Sequence, residues 1–346
     1  MIDIALESDH RFGLVWFFLG RSAMKAMRGL AVGFALALAS VTASGQDVYP
    51  SKPVRLMVPY AAGGVSDIIG RALAQKMSEL LGQPMVVENR GGAGGTLGTA
   101  LIANAPPDGY SIVLSSLTAY AIAPHMMKTV PYDPVKSFTA IGGVAVAPNI
   151  LTVNAAAPFK SLQDIITYAK ANPDKLTFGS SGIGSVGHLS GEVLRTSTNV
   201  SMVHVPYKSA GLAYPDVIAG SVSMVFDTLP SAIQHVKSGK VKPIAVLSDK
   251  RSPLLPEVPT FAEAGFPEAT LHFWIGLHGP ANMSPAAVQK LSETLQKALA
   301  SSDLSERFVG LGAEPYPLTP QQFAKKTSDD YEKLAGVIKA AGIKPE

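Results

Sequence analysis

The regular pattern of the chain begins with a short apolar run and then Pro59-Tyr60-Ala61-Ala62-Gly63-Gly64-Val65-Ser66-Asp67. A second turn of the same kind comes much later, Gly179-Ser180-Ser181-Gly182-Ile183-Gly184-Ser185-Val186-Gly187-His188. Each turn lies between a strand pattern and a helix pattern. The first amides of a helix lack partners within it and lie at the positive end of its dipole, so both turns predict anion binding. Two such turns in separate lobes suit one small molecule with a carboxylate at each end.

Composition favours a protein of two packed domains and excludes several kinds of site. Hydrophobic residues make up 47% of the 346 residues, enough to bury about three quarters of the unfolded surface. The formal net charge is +3 and no run of Lys and Arg alternates with aromatic residues, so we expect no nucleic-acid partner. The chain has no cysteine, which excludes disulfides, thiolate metal sites and cysteine nucleophiles. We expect no metal ion and no cofactor.

The N-terminus predicts an export signal. Lys25 and Arg28 precede an uncharged apolar run at residues 29–39, which is too short to span a bilayer. The alternative is that this run forms a helix of the core. The predicted leader is residues 1–45, with a signal peptide at 24–45 and a stretch, 1–23, that suggests a start site placed too early. The mature protein is therefore expected in the periplasm.

From Ser51 onward strand and helix patterns alternate, which predicts an α/β fold with mixed, mainly parallel sheets. Strands are expected at 54–58, 85–87, 111–114 and 150–153, and C-terminal helices at 286–300 and 320–341. A strand at 271–277 returns the chain to the first set of strands. Two crossings make a hinge between two lobes. The predicted lobes are 46–149 plus 271–346 for the first and 150–270 for the second.

Short motifs follow one another along the chain in a specific order. The first are Pro59–Gly64 with Asp67 and Arg71, Gly82-Gln83-Pro84 leading to Glu88-Asn89-Arg90, Gly92-Ala93-Gly94-Gly95, Pro107-Asp108-Gly109-Tyr110 and Pro131-Tyr132-Asp133-Pro134. The later ones are Gly179-Ser180-Ser181-Gly182, Gly184-Ser185 with His188, His204–Lys208, Phe226-Asp227 and Leu255–Thr260 with Glu263-Ala264-Gly265. Together they resemble the extracytoplasmic solute receptors of tripartite tricarboxylate transporters, the Bug family. The resemblance runs from about Ser51 to Ile343 and implies a two-lobed periplasmic binding protein of type II, a Venus-flytrap fold.

The resemblance also implies a ligand site between the two turns. Members of the family bind carboxylates with backbone amides, hydroxyl groups and ordered water more than with arginine. The implied residues are Tyr60, Gly63, Gly64 and Asp67 at the first turn, Ser116 and Thr118 on the wall, Ser180, Ser181, Ser185 and His188 at the second turn, and Asp227 near the middle of the ligand. On this pattern the amides of Gly63 and Gly64 hold one carboxylate and the serines hold the other.

Some of these residues also have structural interpretations. Asp67 can cap or polarise the start of its helix, His188 can bond a backbone carbonyl, and Asp227 can cap a turn. Gly92–Gly98 resembles a nucleotide loop, but its spacing fits neither G-x-G-x-x-G nor G-x-x-x-x-G-K-[ST], so we expect close packing or a tight turn there. Ser209 stands where the family often has glycine, which alters the predicted wall of the second lobe.

We therefore predict a monomeric periplasmic receptor, not an enzyme, that captures a small organic carboxylate and delivers it to integral membrane transporter subunits. One alternative is a receptor that signals to a membrane sensor kinase. Another is a serine hydrolase that uses Ser181 or Ser185 with His188. No G-x-S-x-G motif supports the hydrolase, and no oxyanion partner is evident.

Overall fold

The computed structural model describes residues 49–267, 271 and 273–345. The leader predicted at 1–45 lies outside these described residues, so the export signal and the alternative core helix stay predictions. Within the described part, no helix has both the length and the apolar character needed to cross a bilayer.

Strands and helices alternate along the described chain, as the sequence pattern predicts. The strands are β1 Val54–Val58, β2 Met85–Asn89, β3 Ser111–Ser116, β4 Phe138–Ala147, β5 Asn149–Asn154, β6 Leu176–Ser180, β7 Met202–Pro206, β8 Met224–Thr228, β9 Val241–Leu247, β10 Phe273–Pro280 and β11 Glu314–Pro315. The α-helices are α1 Val65–Leu81, α2 Thr96–Ala103, α3 Ala123–Met126, α4 Leu162–Ala171, α5 Val186–Thr198, α6 Tyr214–Ala219, α7 Leu229–Lys237, α8 Pro285–Leu299, α9 Ser302–Gly310 and α10 Pro320–Ala340. A π-helical turn, Thr118–Ile122, precedes α3.

The strands form two sheets of mixed direction. The first sheet has the order β11-β4-β10-β3-β1-β2, and the second has the order β7-β6-β8-β5-β9. The pairs β1–β2, β1–β3, β6–β7 and β6–β8 are parallel, as expected for strands joined by helices. The strands β4, β5 and β10, which lie next to the crossings, pair antiparallel with their neighbours. The sheets are therefore mixed, as predicted, but the expectation of mainly parallel strands is not met: parallel pairing is confined to the β–α repeats, and antiparallel pairs are slightly more numerous among the described strands.

The chain crosses from one sheet to the other at a very short link. Strand β4 ends at Ala147 and β5 begins at Asn149, so Pro148 alone separates them. The return crossing runs between β9 and β10. Hinge motion is usually absorbed by a few residues at the ends of such elements. The crossings lie close to those expected from the sequence, while the lobe boundaries at 46–149 plus 271–346 and 150–270 stay a prediction.

Helix α1 carries the first turn to the carboxyl end of β1. Ile69, Leu73 and Met77 recur at helical spacing and are fully buried in the core. Gly82 ends the helix in the left-handed region, with φ of 69°, and its amide donates to the Ser78 carbonyl at 3.1 Å. The first turn therefore starts where the strand ends and is held by a well-packed helix.

The C-terminal helix α10 packs on the first sheet. Trp274 Nε1 of β10 donates to Asp330 Oδ2 at 2.7 Å, and Lys326 Nζ lies 2.6 Å from the same oxygen. The ring of Phe323 covers Gly276, where any larger side chain would collide with it. The helices predicted at 286–300 and 320–341 are confirmed within one residue as α8 and α10, whereas α9 was not predicted.

Candidate functional site

The two turns meet at one narrow cleft. Gly64 at the start of α1 and Ser181 before α5 both line a cavity of about 40 Å³. The other lining residues are Tyr60, Val65, Ser66, Thr118, Asn149, Val186, Gly187, Ser209, Ala210, Phe226, Asp227, Thr228 and Phe273. The carboxyl ends of β1 and β6 thus bring two helix starts, one from each sheet, to the same small space.

Gly64 leaves the start of α1 open toward the cleft. It is the N-cap residue of the helix, and it has no side chain that could accept from the first amides. The next two residues, Val65 and Ser66, also line the cleft. The positive end of the α1 dipole therefore faces the cavity.

Asp67 holds the first turn in shape. Its Oδ2 accepts from the Gly63 amide at 2.9 Å, while its Oδ1 accepts from Asn89 Nδ2 at 3.0 Å and lies 2.9 Å from Arg71 Nε. Burial raises the pKa of Asp67, but the hydrogen bonds from Arg71, Gly63 and Asn89 outweigh burial, so the pKa is lowered. An ionised carboxylate thus ties the turn to α1 and β2. Because the Gly63 amide already donates to Asp67, Gly64 is the better donor for a ligand.

Tyr60 forms a wall of the cleft and links it to the glycine loop after β2. Its hydroxyl lies 2.8 Å from Ser116 Oγ and donates to the Gly94 carbonyl at 3.2 Å. Ser116 is fully buried and orients this tyrosine rather than lining the cavity. Burial raises the pKa of Tyr60, so its hydroxyl stays protonated at neutral pH. Thr118, the first residue of the π-helical turn, lines the cleft nearby.

Ser180 and Ser185 stabilise the second turn from within. Ser185 Oγ accepts from the His188 amide at 3.1 Å and donates to Ser180 Oγ at 3.2 Å. Ser180 Oγ accepts from the Gly182 amide at 3.1 Å and lies 2.6 Å from His204 Nε2. Both serines are fully buried. Their hydroxyls are therefore engaged inside the turn.

Two stacked imidazoles lie against this turn. The ring centroids of His188 and His204 are 3.9 Å apart, and the rings are 9° from parallel. Burial, with a smaller effect of the Arg195 charge, lowers the pKa of His188 to about 4, and burial and His188 lower the pKa of His204 to about 3. His188 Nδ1 accepts from the Gly184 amide at 3.2 Å, which requires this nitrogen to be unprotonated. Both rings are therefore neutral at neutral pH.

Three side chains of the second sheet bring unpaired polar atoms to the cleft. Asn149 begins β5 and is the register partner of Thr228, which ends β8 next to Asp227. In the described part of the chain, Asn149 Nδ2, Asp227 Oδ2 and Thr228 Oγ1 have no hydrogen-bond partner, although each residue is more than nine-tenths buried. Burial raises the pKa of Asp227 to about 6. Buried polar atoms are nearly always paired, so these atoms indicate a place for ligand groups.

The predicted site residues divide into those that line the cleft and those that support it. The lining residues are Tyr60, Gly64, Thr118, Ser181 and Asp227. The supporting residues are Gly63, Asp67, Ser116, Ser180, Ser185 and His188. For Asp67 these contacts fit the structural interpretation at the start of its helix. For His188 they do not, because its ring accepts from the backbone amide of Gly184, whereas a bond to a backbone carbonyl was expected. The roles of all these residues in binding stay predictions.

The sequence analysis missed three polar lining residues, Ser66, Asn149 and Thr228. Thr228 follows Asp227 at the carboxyl end of a strand, the usual place for ligand contacts in α/β sheets, and this signal was available. Asn149 gives no local signal, because it reaches the cleft through the pairing of β5 with β8. Ser209, expected to alter the wall of the second lobe, does line the cleft.

A larger cavity, of about 290 Å³, lies at the link between the sheets. None of the predicted site residues lines it, and its wall includes Pro148, Lys250 and Glu314. The Lys250 Nζ and Glu314 Oε1 atoms are 3.3 Å apart and exposed. We place the candidate site in the narrow cleft, because the helix starts and the unpaired polar atoms lie there.

The geometry gives little support to catalysis or metal binding. Ser185 Oγ contacts the backbone amide of His188, and the ring Nδ1 of that histidine accepts from Gly184, so the ring does not activate the serine through this atom. Among the described residues, no group of three or more His, Asp or Glu side chains is placed to hold a metal ion.

A family model described as "Tripartite tricarboxylate transporter family receptor" matches residues 69–343, which is most of the chain. The chain belongs to this receptor family. The resemblance read from the ordered motifs is confirmed.

Three solved structures share the fold of this receptor. The periplasmic binding protein BugD is 36% identical, with a TM-score of 0.82, and the match covers 86% of this chain and 100% of that one. An R. palustris protein solved with adipate is 34% identical, with a TM-score of 0.83 and the same coverage. MatC from Rhodopseudomonas palustris, solved with bound malate, is 31% identical, with a TM-score of 0.80, covering 84% of this chain and 100% of MatC. The predicted fold, a two-lobed α/β periplasmic binding protein with mixed sheets, is confirmed.

Proposed function

We propose that this protein is a periplasmic receptor that captures a small organic carboxylate in the narrow cleft and delivers it to the membrane subunits of a tripartite transporter. The observation that carries the proposal is the convergence of two helix starts on one cavity, beside three buried and unpaired polar side chains. The family match and the ligands of two relatives, adipate and malate, support it.

The starts of the two helices hold the two ends of the ligand. At one end, Gly64 and the first amides of α1 donate to a carboxylate. At the other end, Ser181 and the first amides of α5, at Val186 and Gly187, do the same. An anion at such a position is stabilised by open N–H groups and by the helix dipole together.

The ligand's charge is balanced without a cationic side chain. Among the described residues that line the cleft, none is Lys or Arg. Amide dipoles, hydroxyl groups and bridging water then supply the stabilisation, each contact being weaker than a pairing with guanidinium. A receptor that must release its ligand to a transporter benefits from contacts of this strength.

The unpaired polar atoms of the second sheet form hydrogen bonds with the middle of the ligand. Asp227 Oδ2 needs a donor and Asn149 Nδ2 needs an acceptor. A hydroxyl or amino group next to a carboxylate offers both. We therefore expect the receptor to prefer a carboxylate with such a substituent over the same chain without it.

Calorimetric titration of the protein from Gln46 with malate, succinate, adipate and citrate tests the proposal. We expect binding without turnover, with malate at least about tenfold tighter than succinate, since an unpaired buried acceptor costs about 1–3 kcal/mol. The Asp227→Ala variant should bind these two acids equally. Binding of no carboxylate, or formation of a product, would contradict the proposed function, whereas equal binding by the wild type would contradict only the role of Asp227.

Delivery and location need their own test in cells. We expect the full chain to be recovered from the periplasm with its leader removed, and a deletion strain to lose uptake of the acid that binds. Recovery from the cytoplasm, or uptake that does not depend on the receptor, would contradict this part of the proposal.

A further inference from the structure

Glycines stand where the turns of the two sheets touch across the cleft. We call these the glycine contacts: Gly64 against Ser209, Gly94 against Ile183, and Gly184 against Ala123. A Cβ atom on Gly94 would lie 2.8 Å from the Ile183 carbonyl oxygen, and one on Gly184 would lie 2.8 Å from the Ala123 Cα. One on Gly64 would lie 3.1 Å from Ser209 Oγ.

The three contacts differ in how they would tolerate a methyl group. The Ser209 hydroxyl can rotate away from Gly64. At Gly94 and Gly184 the opposing atoms belong to the backbone, so only a movement of one whole segment away from the other makes room. These two glycines therefore decide how closely the backbones of the two sides approach.

Both contacts lie on segments that are tied to the binding turns. The Gly94 carbonyl accepts from the Tyr60 hydroxyl at the wall of the cleft. Gly184 lies inside the second turn, and its amide donates to His188 Nδ1. A displacement at either contact is thus passed to the groups that face the cavity.

The size of the cleft shows why this approach matters. Its volume of about 40 Å³ is far below the roughly 300–1,000 Å³ typical of ligand pockets. A dicarboxylate enters only when the two sides separate, and its two ends are held together only when they approach again.

We infer that Gly94 and Gly184 are the points at which the two lobes meet on closure, and that the missing Cβ atoms there let both helix starts reach one ligand. The inference rests on the proposed two-lobed receptor function and names the residues that set its closed state. It also gives a role to the glycine loop after β2, for which the sequence predicted only close packing or a tight turn.

The chain offers matched controls for the strain of replacing glycine. Gly94 and Gly184 have φ of 63° and 73°, while Gly82 and Gly220 have φ of 69° and 80° with no atom within 4 Å of a Cβ. Alanine at any of the four positions carries a similar backbone cost. Gly94→Ala and Gly184→Ala add the collision across the cleft, and Gly82→Ala and Gly220→Ala do not.

The separation of the two lobes can be measured directly because the chain has no native cysteine. Val86 of β2 and Val203 of β7 have exposed side chains and lie on the outermost strands of the two sheets. Spin labels on Val86→Cys and Val203→Cys report the distance between the sheets by double electron–electron resonance. Each glycine variant is combined with this pair and measured alone, with malate and with adipate.

We expect Gly94→Ala and Gly184→Ala to lengthen the distance between the two spin labels in the free protein. Both variants should also bind malate and adipate about tenfold more weakly, or worse. Gly82→Ala and Gly220→Ala should keep the wild-type distance and affinity with a similar loss of thermal stability. Wild-type distances in both cleft variants would overturn the inference. If neither acid binds the wild type, the proposed ligand class is wrong. The label distances measured without ligand still test whether Gly94 and Gly184 set how closely the two lobes approach.

Discussion

The first and second turns face the same cleft but are supported by opposite chemistry. The first is tied by an ionised carboxylate, Asp67, with Arg71 as its ion-pair partner. The second is held by neutral groups, the hydroxyls of Ser180 and Ser185 and the neutral imidazole of His188. Both supports leave the start of a helix facing the cavity. The open helix start is therefore the feature that the two turns share, and the side chains that hold each turn in place can differ.

The largest expected effect comes from filling the space that the two turns share. Gly64 has φ of −78°, which any residue adopts, so Gly64→Phe should fold without backbone strain at this position, while its ring takes the space that the ligand needs and keeps the two sides apart. We expect carboxylate affinity to fall more than about a hundredfold, with a nearly unchanged melting temperature. The control is Gly336→Phe, because no atom lies within 4 Å of a Cβ at that helical position. Undiminished affinity in Gly64→Phe would remove the first turn from the site.

Acidification should destabilise the two turns at different pH values. Unfolded histidine takes up a proton near pH 6.5, but the pKa of folded His188 is about 4, so its contribution to stability is complete above pH 6.5 and is lost as the pH falls toward 4. The loss amounts to roughly 3 kcal/mol at most. The contribution of Asp67 persists until the pH falls below its ordinary value of 3.8, because its pKa is lowered. The second turn should therefore weaken first.

Urea unfolding between pH 7 and pH 4.5 measures this loss. Buried His278, whose pKa is lowered to about 3, also reduces stability as the pH falls. Comparing the wild type with His188→Gln therefore isolates the part of the stability loss that is due to His188. We expect a flatter profile for this variant. Equal slopes for wild type and variant would show that His188 does not carry the effect.

Removing the charge of Asp67 tests the first support. Asp67→Asn keeps the shape of the side chain but leaves at least one of its three donors without an acceptor. We expect a loss of about 2 kcal/mol in the free energy of unfolding, discounted for the half-exposed Arg71. Arg71→Gln is the matched comparison and should cost less, since Gly63 and Asn89 still pair with the carboxylate. If Arg71→Gln lost more stability than Asp67→Asn, then Arg71 and not Asp67 would be the main support of the first turn.

The smallest expected effect is at the N-cap of α5. Ser185→Ala removes the acceptor of the His188 amide and a donor to Ser180, for an expected loss of about 1 kcal/mol. Ser161 caps α4 in the same way and is not among the residues that line the cleft, so Ser161→Ala should cost a similar amount of stability. Only Ser185→Ala should also weaken carboxylate binding. Loss of binding in both variants would point to a general effect on stability.

Much of the fold is readable from the sequence because strand and helix periodicities are local. The strand at 54–58 and the helix buried through Ile69, Leu73 and Met77 follow from apolar spacing alone. Helix α9 was missed because it is short: its buried residues, Leu304 and Phe308, are a single pair at helical spacing, too few to form a repeat over several turns. The π-helical turn at Thr118–Ile122 depends on tertiary packing and has no local signal.

The site was predicted less completely than the fold. Local motifs and the family resemblance were enough to find Gly64, Ser181 and Asp227. They were not enough to separate residues that line the cleft from residues that support it, because that distinction depends on which hydrogen bonds each side chain makes. Ser180 and Ser181 are adjacent in sequence, yet one is engaged inside the turn and the other lines the cavity.

Nuclear magnetic resonance of backbone amides tests the central claim most directly. Malate and adipate are titrated in turn into ¹⁵N-labelled protein while the amides of Gly64, Val65, Val186 and Gly187 are followed. We predict that the amides at the starts of α1 and α5 shift together and saturate at the same ligand concentration. Binding that shifts the amides of one helix start and leaves the other unchanged would contradict the account.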